Sequence, residues 1–394
     1  MAGAADLLVV GGGPAGLATA IQARLAGLTV RLVERSRPPI DKACGEGLMP
    51  DAVERLRALG VEVAPVSAAE AREGTRAPDE ARVETRIPGG EAFPFRGIRY
   101  IDGATVAEGL FPRAAVGLGI RRLWLHQALV RRAEQAGVEL CWGVRVLGLE
   151  AAGARTEAGL LPARWIAGAD GLRSQVRRWI GLEGRPAASR RFGVRRHYAV
   201  RPWSDFVEVY WGPGCEAYVT PVGRELVGVA ILWSGGKSRF AALLRCFPEL
   251  ERRLAAAPLA SRDRGAGPLL QTARGVWRGN VALVGDASGY LDAITGEGLA
   301  VALHQSAALA EALRGGDLSG YAAAHRRIGR LPGNLTALVL ALERRPWLRR
   351  RAVRALAAEP ALFSRLLGIH GRILPPRRLG VDGALRLALR LVTA

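Results

Sequence analysis

Two short apolar runs with a helical segment between them open the chain. Residues 7–10 form a continuous apolar run typical of a buried parallel strand, and residues 28–33 form a second one that ends at the acidic Glu34. Residues 14–25, between the two runs, have the composition of a largely apolar helix. The pattern therefore predicts a strand, a tight turn, a helix, a second strand and an acid in succession, as in an α/β sheet domain.

The pattern changes in the second half of the chain. Residues 192–233 break into several short runs that predict strands. A buried strand returns at residues 281–284, and from residue 298 onward the chain is mostly helical. This order predicts an α/β domain that is interrupted by a sheet domain and followed by a helical region. The predicted boundaries are 1–75, 97–180 and 268–325 for the α/β domain, 76–96 and 181–267 for the sheet domain, and 326–394 for the helical region.

Composition limits the classes of function. The 394 residues allow two domains, and a hydrophobic fraction of 49% is enough for a substantial core. The net charge of +20 comes from arginine, since Lys42 and Lys237 are the only lysines. These arginines are scattered and no nucleic-acid module is recognisable, so we expect no nucleic-acid partner. The four cysteines are far apart, which argues against a zinc site and a disulfide framework.

The predicted location is the cytoplasm. No apolar run reaches the roughly 18 residues that a membrane span needs, and no secretory signal precedes the first strand. The tail is the exception to the even distribution of charge, because residues 343–394 contain twelve arginines and only three carboxylates. A basic amphipathic helix there would suit peripheral contact with an anionic membrane and a lipid-like substrate. We favour the alternative, a solvated helix that packs on the protein by its apolar side.

The turn after the first strand has the spacing of a dinucleotide site. Gly11 permits the turn, Gly13 lets the backbone approach a pyrophosphate, and Gly16 lets helix and strand pack closely. The helix that follows presents unpaired N–H groups and a partial positive charge to that pyrophosphate. Glu34 is placed to accept hydrogen bonds from a ribose. These features predict a bound dinucleotide without separating FAD from NAD.

Two later motifs add contacts of the same kind. Asp170 and Gly171 follow a predicted strand, where an acid before a glycine can approach a phosphate or a ribose. Gly285 and Asp286 end a further strand, in a position that suits a ribose or ribityl hydroxyl. The string TGEG at 295–298 precedes a helix whose N-terminal amides would face the pyrimidine edge of a flavin. Three such motifs in this order indicate one flavin dinucleotide.

The chain resembles the FAD-dependent superfamily of aromatic-ring monooxygenases and geranylgeranyl reductases, over about residues 5–320. The resemblance implies an α/β, Rossmann-like FAD-binding domain of the glutathione-reductase type, interrupted by an antiparallel β-sheet substrate domain, with a helical C-terminal region. It implies that Arg122, in RRLWLHQAL, contacts the FAD phosphates and that NAD(P)H reduces the flavin. The residues expected to bind FAD are Gly11, Gly13, Pro14, Ala15, Gly16, Glu34, Arg35, Arg122, Val146, Asp170, Gly171, Gly285, Asp286, Gly296, Glu297 and Gly298.

Two branches of this superfamily predict different reactions. The strings DKACGEG, at 41–47, and TGEG are similar to the geranylgeranyl reductases, in which a CGxG string lies beside flavin and substrate. RRLWLHQAL is more similar to the monooxygenases. From the sequence we favour hydroxylation of an aromatic or polyketide-like, lipophilic small molecule, with reduction of isoprenoid double bonds as the alternative. A flavin-binding protein without turnover of its own is a third hypothesis.

The string DKACGEG is expected to form a wall of the active site. Its candidate catalytic residues are Cys44, Gly45 and Glu46. Cys44 fits a small buried residue in a tight loop equally well, and Glu46 fits better as a carboxylate of a surface loop. Asp41 and Lys42 are predicted to form a solvated pair.

Residues outside the glycine motifs complete the predicted site. Tyr218 and Pro221, in AYVTPVG, are predicted to line the substrate pocket above the flavin ring. His126 is predicted to have a structural role in a helix that faces the nucleotide domain. The remaining histidines lack the spacing of metal ligands, so no metal is expected.

Overall fold

The structure is a computed structural model that describes residues 4–63, 92–185 and 190–380, with residues 383, 385–386 and 390 of the tail. The strands are β1 (Ala5–Val10), β2 (Val30–Glu34), β3 (Gly47–Leu48), β4 (Ala92–Phe95), β5 (Gly97–Asp102), β6 (Thr105–Leu110), β7 (Gly117–Ile120), β8 (Glu139–Trp142), β9 (Val146–Glu150), β10 (Gly153–Thr156), β11 (Gly159–Gly168), β12 (Arg191–Tyr198), β13 (Val207–Gly212), β14 (Cys215–Gly223), β15 (Leu226–Ser234), β16 (Arg264–Ala266), β17 (Trp277–Arg278) and β18 (Val281–Leu283). The helices are α1 (Pro14–Leu25), α2 (Pro50–Ala58), α3 (Arg122–Gln135), α4 (Gln175–Trp179), α5 (Phe240–Leu244), α6 (Pro248–Leu254), α7 (Gly298–Arg314), α8 (Ser319–Glu343), α9 (Pro346–Ala358) and α10 (Pro360–His370).

A mainly parallel sheet forms the centre of the first domain. Its strand order is β17-β18-β11-β1-β2-β8, and β9 and β10 extend from β11 as an antiparallel addition. In the central strand, Val9 pairs with Leu32 on one side and Ala167 on the other. Val9 and its neighbour Leu8 point to opposite faces and are both buried, because layers of structure cover both faces of the sheet. The continuous apolar runs in the sequence are a consequence of this double cover.

Three helices cover one face of the parallel sheet. α1 packs against both α7 and α3, and the shared core contains Leu17, Ile21, Leu129 and Leu303. The carboxyl ends of β1, β2, β11 and β18 therefore meet the amino ends of α1 and α7 at one edge. This edge is where open α/β sheets bind their ligands.

A seven-stranded sheet forms the second domain, in the order β16-β12-β15-β14-β13-β5-β6. Its neighbours are antiparallel except β13 and β5, which run parallel with Val207 opposite Ile98. One face packs on α5 and α6 through residues such as Val229 and Phe240. The other face turns toward the parallel sheet and the C-terminal helices. Because strand residues alternate between faces, each strand contributes to both layers.

A small sheet joins the two domains. Its order is β3-β7-β4, with Gly47 opposite Gly119 and Leu48 opposite Leu118. β3 is the end of the string DKACGEG, so that loop is fixed by backbone pairing at its last residue. Pro221 of the second domain contacts this sheet, since a Cβ on Gly119 would lie 1.7 Å from the Pro221 carbonyl oxygen.

The C-terminal helices pack on the edge of the seven-stranded sheet. α9 and α10 lie against β5 and β6, with Val353, Phe363 and Leu367 buried. Arg349 anchors α9 through a hydrogen bond of 2.8 Å from its Nε to Asp102. Within the part of the chain that the structure describes, no helix combines the length and apolarity needed to cross a membrane.

The predicted fold class is confirmed, but two predicted boundaries differ from the structure. Residues 97–110, assigned to the FAD-binding domain, form β5 and β6 of the seven-stranded sheet. β6 pairs with β5, but the parallel partner of β5 is β13, more than 90 residues away, so no local pattern shows the placement of the two strands. α8 runs without interruption across the boundary predicted at residue 325. Residues 76–91 of the predicted sheet domain lie outside the described residues.

A buried charge cluster fastens the two domains and α8 together. Arg191 of β12 pairs with Glu216 of β14, with Asp292 at 2.9 Å and with Glu343 at 3.4 Å. All four side chains are 5% exposed or less. Asp292 also accepts a hydrogen bond of 3.0 Å from the backbone N–H of Ile294. The cluster therefore fixes the loop that leads into α7.

Three carboxyl groups around one guanidinium carry an excess of negative charge. Burial, with repulsion from Glu343 and Asp292 beside the opposing attraction of Arg191, raises the pKa of Glu216 to about 8. Glu216 is therefore protonated near neutral pH in the folded chain, but ionised in the unfolded chain above its ordinary pKa. A group whose pKa is raised in the folded state makes the protein less stable as the pH rises. The reason is that, between the two pKa values, the unfolded state binds fewer protons than the folded state.

We predict that Glu216→Gln removes a pH-dependent loss of stability. In the parent protein this group lowers the free energy of unfolding by about 1 kcal/mol per pH unit between about pH 5 and 8. The measurement is urea unfolding of both proteins across that range. The difference between the two free energies should grow in favour of the variant as the pH rises. A difference that stays constant with pH contradicts the raised pKa.

Candidate active site

The glycines of the turn after β1 differ in their surroundings: two are closely packed and one faces open space. A Cβ on Gly11, whose φ is +114°, would lie 2.5 Å from the carbonyl oxygen of Ala169. A Cβ on Gly16 would lie 1.9 Å from the carbonyl oxygen of Gly11. At Gly13, by contrast, a Cβ would meet no other atom within 4 Å. Gly13 therefore faces the space in front of α1, where a pyrophosphate would meet the helix N-terminus.

Unpaired polar atoms line the same space. Arg122 begins α3, and its Nε is buried without a hydrogen-bond partner among the described residues. Asp170 receives the backbone N–H groups of Gln175 and Val176 on Oδ2, while its buried Oδ1 lacks a partner in the described ranges. Buried polar atoms are normally hydrogen-bonded, so a cation and an acceptor left open here fit a bound phosphate and hydroxyl. The residues present therefore fit FAD.

Glu34 takes the place expected at the end of β2. Its Oε2 accepts a hydrogen bond of 2.9 Å from the N–H of Gly12, and its Oε1 accepts one of 2.9 Å from Ser36. Each carboxylate oxygen has a further lone pair, so the side chain is held in place and can still accept from a ribose. His126 supports the turn from behind, with Nε2 at 2.8 Å from the Gly12 carbonyl oxygen. Burial lowers the pKa of His126 to about 4, so this ring stays neutral and has the structural role predicted.

The loop between β18 and α7 supplies the opposite side of the cofactor space. Gly285 has a φ of +62° and packs against Ala15, and its N–H donates to Gln305 at 2.8 Å. Asp286 is half-buried at the cavity wall, and desolvation raises its pKa although Arg122 and Lys42 act in the opposite direction. Pro14, Ala15, Arg35, Gly171, Gly296 and Gly298 line the same cavity.

Three predicted site residues lie elsewhere. The carboxylate of Glu297 points toward α10, where Oε2 lies 3.3 Å from Nε2 of His370. Val146 begins β9 and packs against the core on the far side of the parallel sheet. Pro221 is absent from the cavity wall in the described chain, whereas Tyr218 is part of it. The two are three residues apart on one strand, so their side chains leave opposite faces of the sheet.

Glu46 is buried between the two domains, so the prediction of a surface carboxylate is wrong. Its side chain is 1% exposed, and its backbone has a left-handed φ of +61°. One oxygen accepts a hydrogen bond of 2.8 Å from the N–H of Arg122, and the other is bound by Nε2 of His197. The guanidinium of Arg195 lies 3.8 Å away. A loop between the domains is thus held by its own carboxylate.

The protonation of His197 follows from its neighbours. Nδ1 lies 3.1 Å from a guanidinium nitrogen of Arg195, which can only donate, so Nδ1 accepts and Nε2 carries the proton. Burial lowers the pKa of His197 although Glu46 acts in the opposite direction, which keeps the ring neutral. Burial also opposes ionisation of Glu46, but the hydrogen bonds from His197 and Arg122, with Arg195 nearby, hold the pKa of Glu46 below its ordinary value.

Asp41 adds a second attachment for the same loop. It pairs with Arg195 of β12 and, at 3.1 Å, with Arg264 of β16, so Asp41 and Lys42 are not the solvated pair predicted. Lys42 is exposed to the open space of the cavity, where desolvation by the cavity walls and the nearby Arg122 lower the pKa of its ammonium group. Cys44 also lines the cavity, and burial raises the pKa of its thiol. A neutral thiol is a poor nucleophile, so Cys44 is a wall residue.

The cavity that these loops enclose has a volume of about 1290 Å³. Charged groups gather where the glycine turn, Arg122 and Asp286 meet. The opposite wall comes from the seven-stranded sheet and the C-terminal helices, and the side chains that form it are Tyr100, Val209, Trp211, Leu338, Val339, Leu342, Leu348, Leu356, Phe363 and Leu366. The hydroxyl of Tyr218 donates to the Ile294 carbonyl oxygen at 2.6 Å. Arg195, Lys237, Ser238, Arg264 and His370 also line the cavity on this side, and the rest of the wall is mainly apolar.

Sequence reasoning missed Arg191, Arg195 and His197. They are at alternate positions of β12, on the face opposite Phe192 and Val194. A polar face of an antiparallel strand normally indicates solvent, whereas here the face turns to the first domain and is paired with its acids. The only signal in the sequence is the coincidence of basic residues on that strand with Asp41 and Glu46.

We predict opposite outcomes for alanine at two glycines of the turn. Gly13→Ala should leave the unfolding free energy of the FAD-free protein within about 0.5 kcal/mol of the parent. It should weaken FAD binding about 10- to 100-fold, since overpacking costs about 1–3 kcal/mol. Gly16→Ala should destabilise the FAD-free protein by at least about 1–3 kcal/mol, because its Cβ would overpack against the backbone. Fluorescence titration with FAD and urea unfolding measure the two effects, and unchanged FAD affinity of Gly13→Ala contradicts this placement of the pyrophosphate.

The sequence of the chain is similar to those of known proteins. The family model described as FAD binding domain matches residues 4–212, which is more than half of the chain. The menaquinone reductase of Mycobacterium tuberculosis is 27% identical over 342 residues, covering 80% of this chain and 78% of that protein. Digeranylgeranylglycerophospholipid reductase 3 of Methanosphaera stadtmanae is 24% identical over 320 residues, covering 76% and 74%.

The fold is also found in solved structures. A flavoprotein/dehydrogenase from Cytophaga hutchinsonii superposes with a TM-score of 0.77 at 17% identity, covering 99% of this chain and 98% of that one. At this identity the likeness concerns the fold alone. Because the family model spans both the glycine turn and the start of the second sheet, the chain belongs to the FAD binding domain family and is an FAD-dependent oxidoreductase.

Proposed function

We propose that the protein is an NAD(P)H-dependent reductase that uses FAD to reduce a carbon–carbon double bond in a lipophilic, isoprenoid-containing molecule. The observation that carries the proposal is the cavity, which joins the FAD space to a long apolar wall. Relatives that match 76–80% of this chain include reductases named for menaquinone and for a geranylgeranyl lipid. Both names describe molecules with isoprenoid chains, which an apolar channel of this kind would accept.

The size of the cavity is compatible with two ligands. Ligand sites commonly have volumes of about 300–1000 Å³, and the about 1290 Å³ of this cavity include the FAD space as well as the space along the apolar wall. Leu338 lines the cavity and is 57% exposed, so the apolar wall continues to the surface between α8 and α9. A small aromatic substrate would not need this extension. The geometry therefore favours a chain-like molecule that is threaded along α8 and α9.

The residues of the chain have distinct roles in this proposal. Gly13, Arg122, Asp170 and Asp286 would hold FAD, which when bound would supply the electrons it receives from NAD(P)H. The loop with Cys44 and its neighbours closes the cavity beside the charged end. The apolar wall excludes water from the substrate chain, which strengthens electrostatic interactions at the reacting end.

Hydroxylation of an aromatic or polyketide-like molecule, which the sequence favoured, stays a prediction. A water-poor cavity serves either reaction, and the two differ in their need for oxygen. The third hypothesis, a flavin-binding protein without turnover, differs from both because it forms no product.

We predict that the holoenzyme reduces its substrate under nitrogen. The purified protein is given NADPH or NADH and a menaquinone or geranylgeranyl lipid in detergent, and products are identified by mass spectrometry. A gain of two hydrogen atoms without oxygen is the expected result. Product that forms only in air and gains one oxygen atom contradicts the proposal in favour of hydroxylation. FAD-depleted Gly13→Ala is the control for product formed without the cofactor.

A further inference from the structure

The corner between α8 and α9 forms the rim of the cavity. Leu338 and Leu342 near the end of α8, with Leu348 at the start of α9, line the cavity. Leu338 is 57% exposed, so the rim is open to the surface at this point. The corner is therefore where the apolar cavity reaches the outside of the protein.

Large apolar side chains stand exposed around this rim. Trp347 is 62% exposed and adjoins the rim residue Leu348. Leu291 is 48% exposed and lies against α8, 3.5 Å from where a Cβ on Gly333 would be. Isolated exposed apolar residues are ordinary, but a group of them at the mouth of an apolar cavity indicates an interaction site.

The charge around the rim has one sign. Arg344, Arg345 and Arg350 are exposed at the corner and on the first turns of α9. Glu343 is the only carboxylate from residue 319 to residue 358, and it is buried in the Arg191 cluster. No exposed acid in these two helices therefore neutralises the arginines.

We propose that this corner, Leu338–Arg350 with Leu291, docks on an anionic membrane surface. Arginines attract acidic headgroups, while an exposed tryptophan and leucines enter the interfacial region. Docking would place the mouth of the cavity against the lipid phase, so that a lipophilic substrate enters without crossing water. The inference rests on the proposed function for the identity of that substrate. A nucleic acid would satisfy the arginines but not the apolar rim.

Vesicle binding tests the proposal without turnover. The full-length holoenzyme is mixed with vesicles of phosphatidylcholine alone or with phosphatidylglycerol added, and bound protein is measured by flotation. We expect binding to the anionic vesicles that weakens as salt rises. Arg344→Gln with Arg345→Gln should weaken it about 30-fold, as each arginine contributes about a fivefold effect near such a surface. Trp347→Ala should weaken binding at every salt concentration, because it removes apolar contact.

A matched control neutralises two exposed arginines elsewhere. Arg245→Gln with Arg252→Gln changes the ends of α5 and α6, which pack on the opposite face of the seven-stranded sheet. This pair should bind anionic vesicles within about twofold of the parent. Equal FAD content and melting temperature show that the variants are folded.

Three results overturn the proposal. They are absence of binding to anionic vesicles, equal weakening by the control pair, and binding to a single-stranded polynucleotide that competes fully with vesicles. The proposed reaction is judged separately, from product formed with detergent-solubilised substrate. Reduction without vesicle binding refutes the docking surface alone, and vesicle binding without reduction refutes the proposed function alone.

Discussion

The position of the loop between β2 and β3, which lines the cavity, depends on one buried carboxylate. Glu46 lies in the loop between β2 and β3, and it is bound by His197 of the second domain and by the first N–H of α3. A buried charge is tolerated only when it is paired, so removing His197 while Glu46 stays buried would cost several kcal/mol. The left-handed backbone at Glu46 is held by the same contacts. The wall of the cavity is therefore fixed from both sides.

The strand β12 repeats this arrangement at its other end. Arg195 holds Asp41 beside Glu46, while Arg191 holds Asp292 in the loop that leads to α7. Both loops line the FAD space, so one strand of the second domain sets the distance between the two loops. The helix α8 is joined to the same strand through the ion pair of Glu343 with Arg191. The seven-stranded sheet, the two loops that line the cavity and α8 are thereby joined in one ion-paired framework.

The sequence predicts those features of the fold that depend on residues close together in the chain. The glycine turn, the two apolar strands and Glu34 were predictable because each depends on neighbours within about 30 residues. The inward-facing charges of β12 were not, since the same alternation describes a solvent-facing strand when its partners are unknown. Glu46 was predicted on the surface for the same reason, as its partner His197 is 151 residues away. The placement of β5 and β6 likewise depends on a distant parallel partner.

A double-mutant cycle between Glu46 and His197 tests this account most directly. The parent, Glu46→Gln, His197→Gln and the double variant are compared by urea unfolding and by the dissociation constant of FAD. A hydrogen bond to a charged group that holds the loop predicts a coupling energy of at least about 1.5 kcal/mol in unfolding, with coupled losses of FAD affinity. Effects that add within about 0.5 kcal/mol in both measurements contradict it.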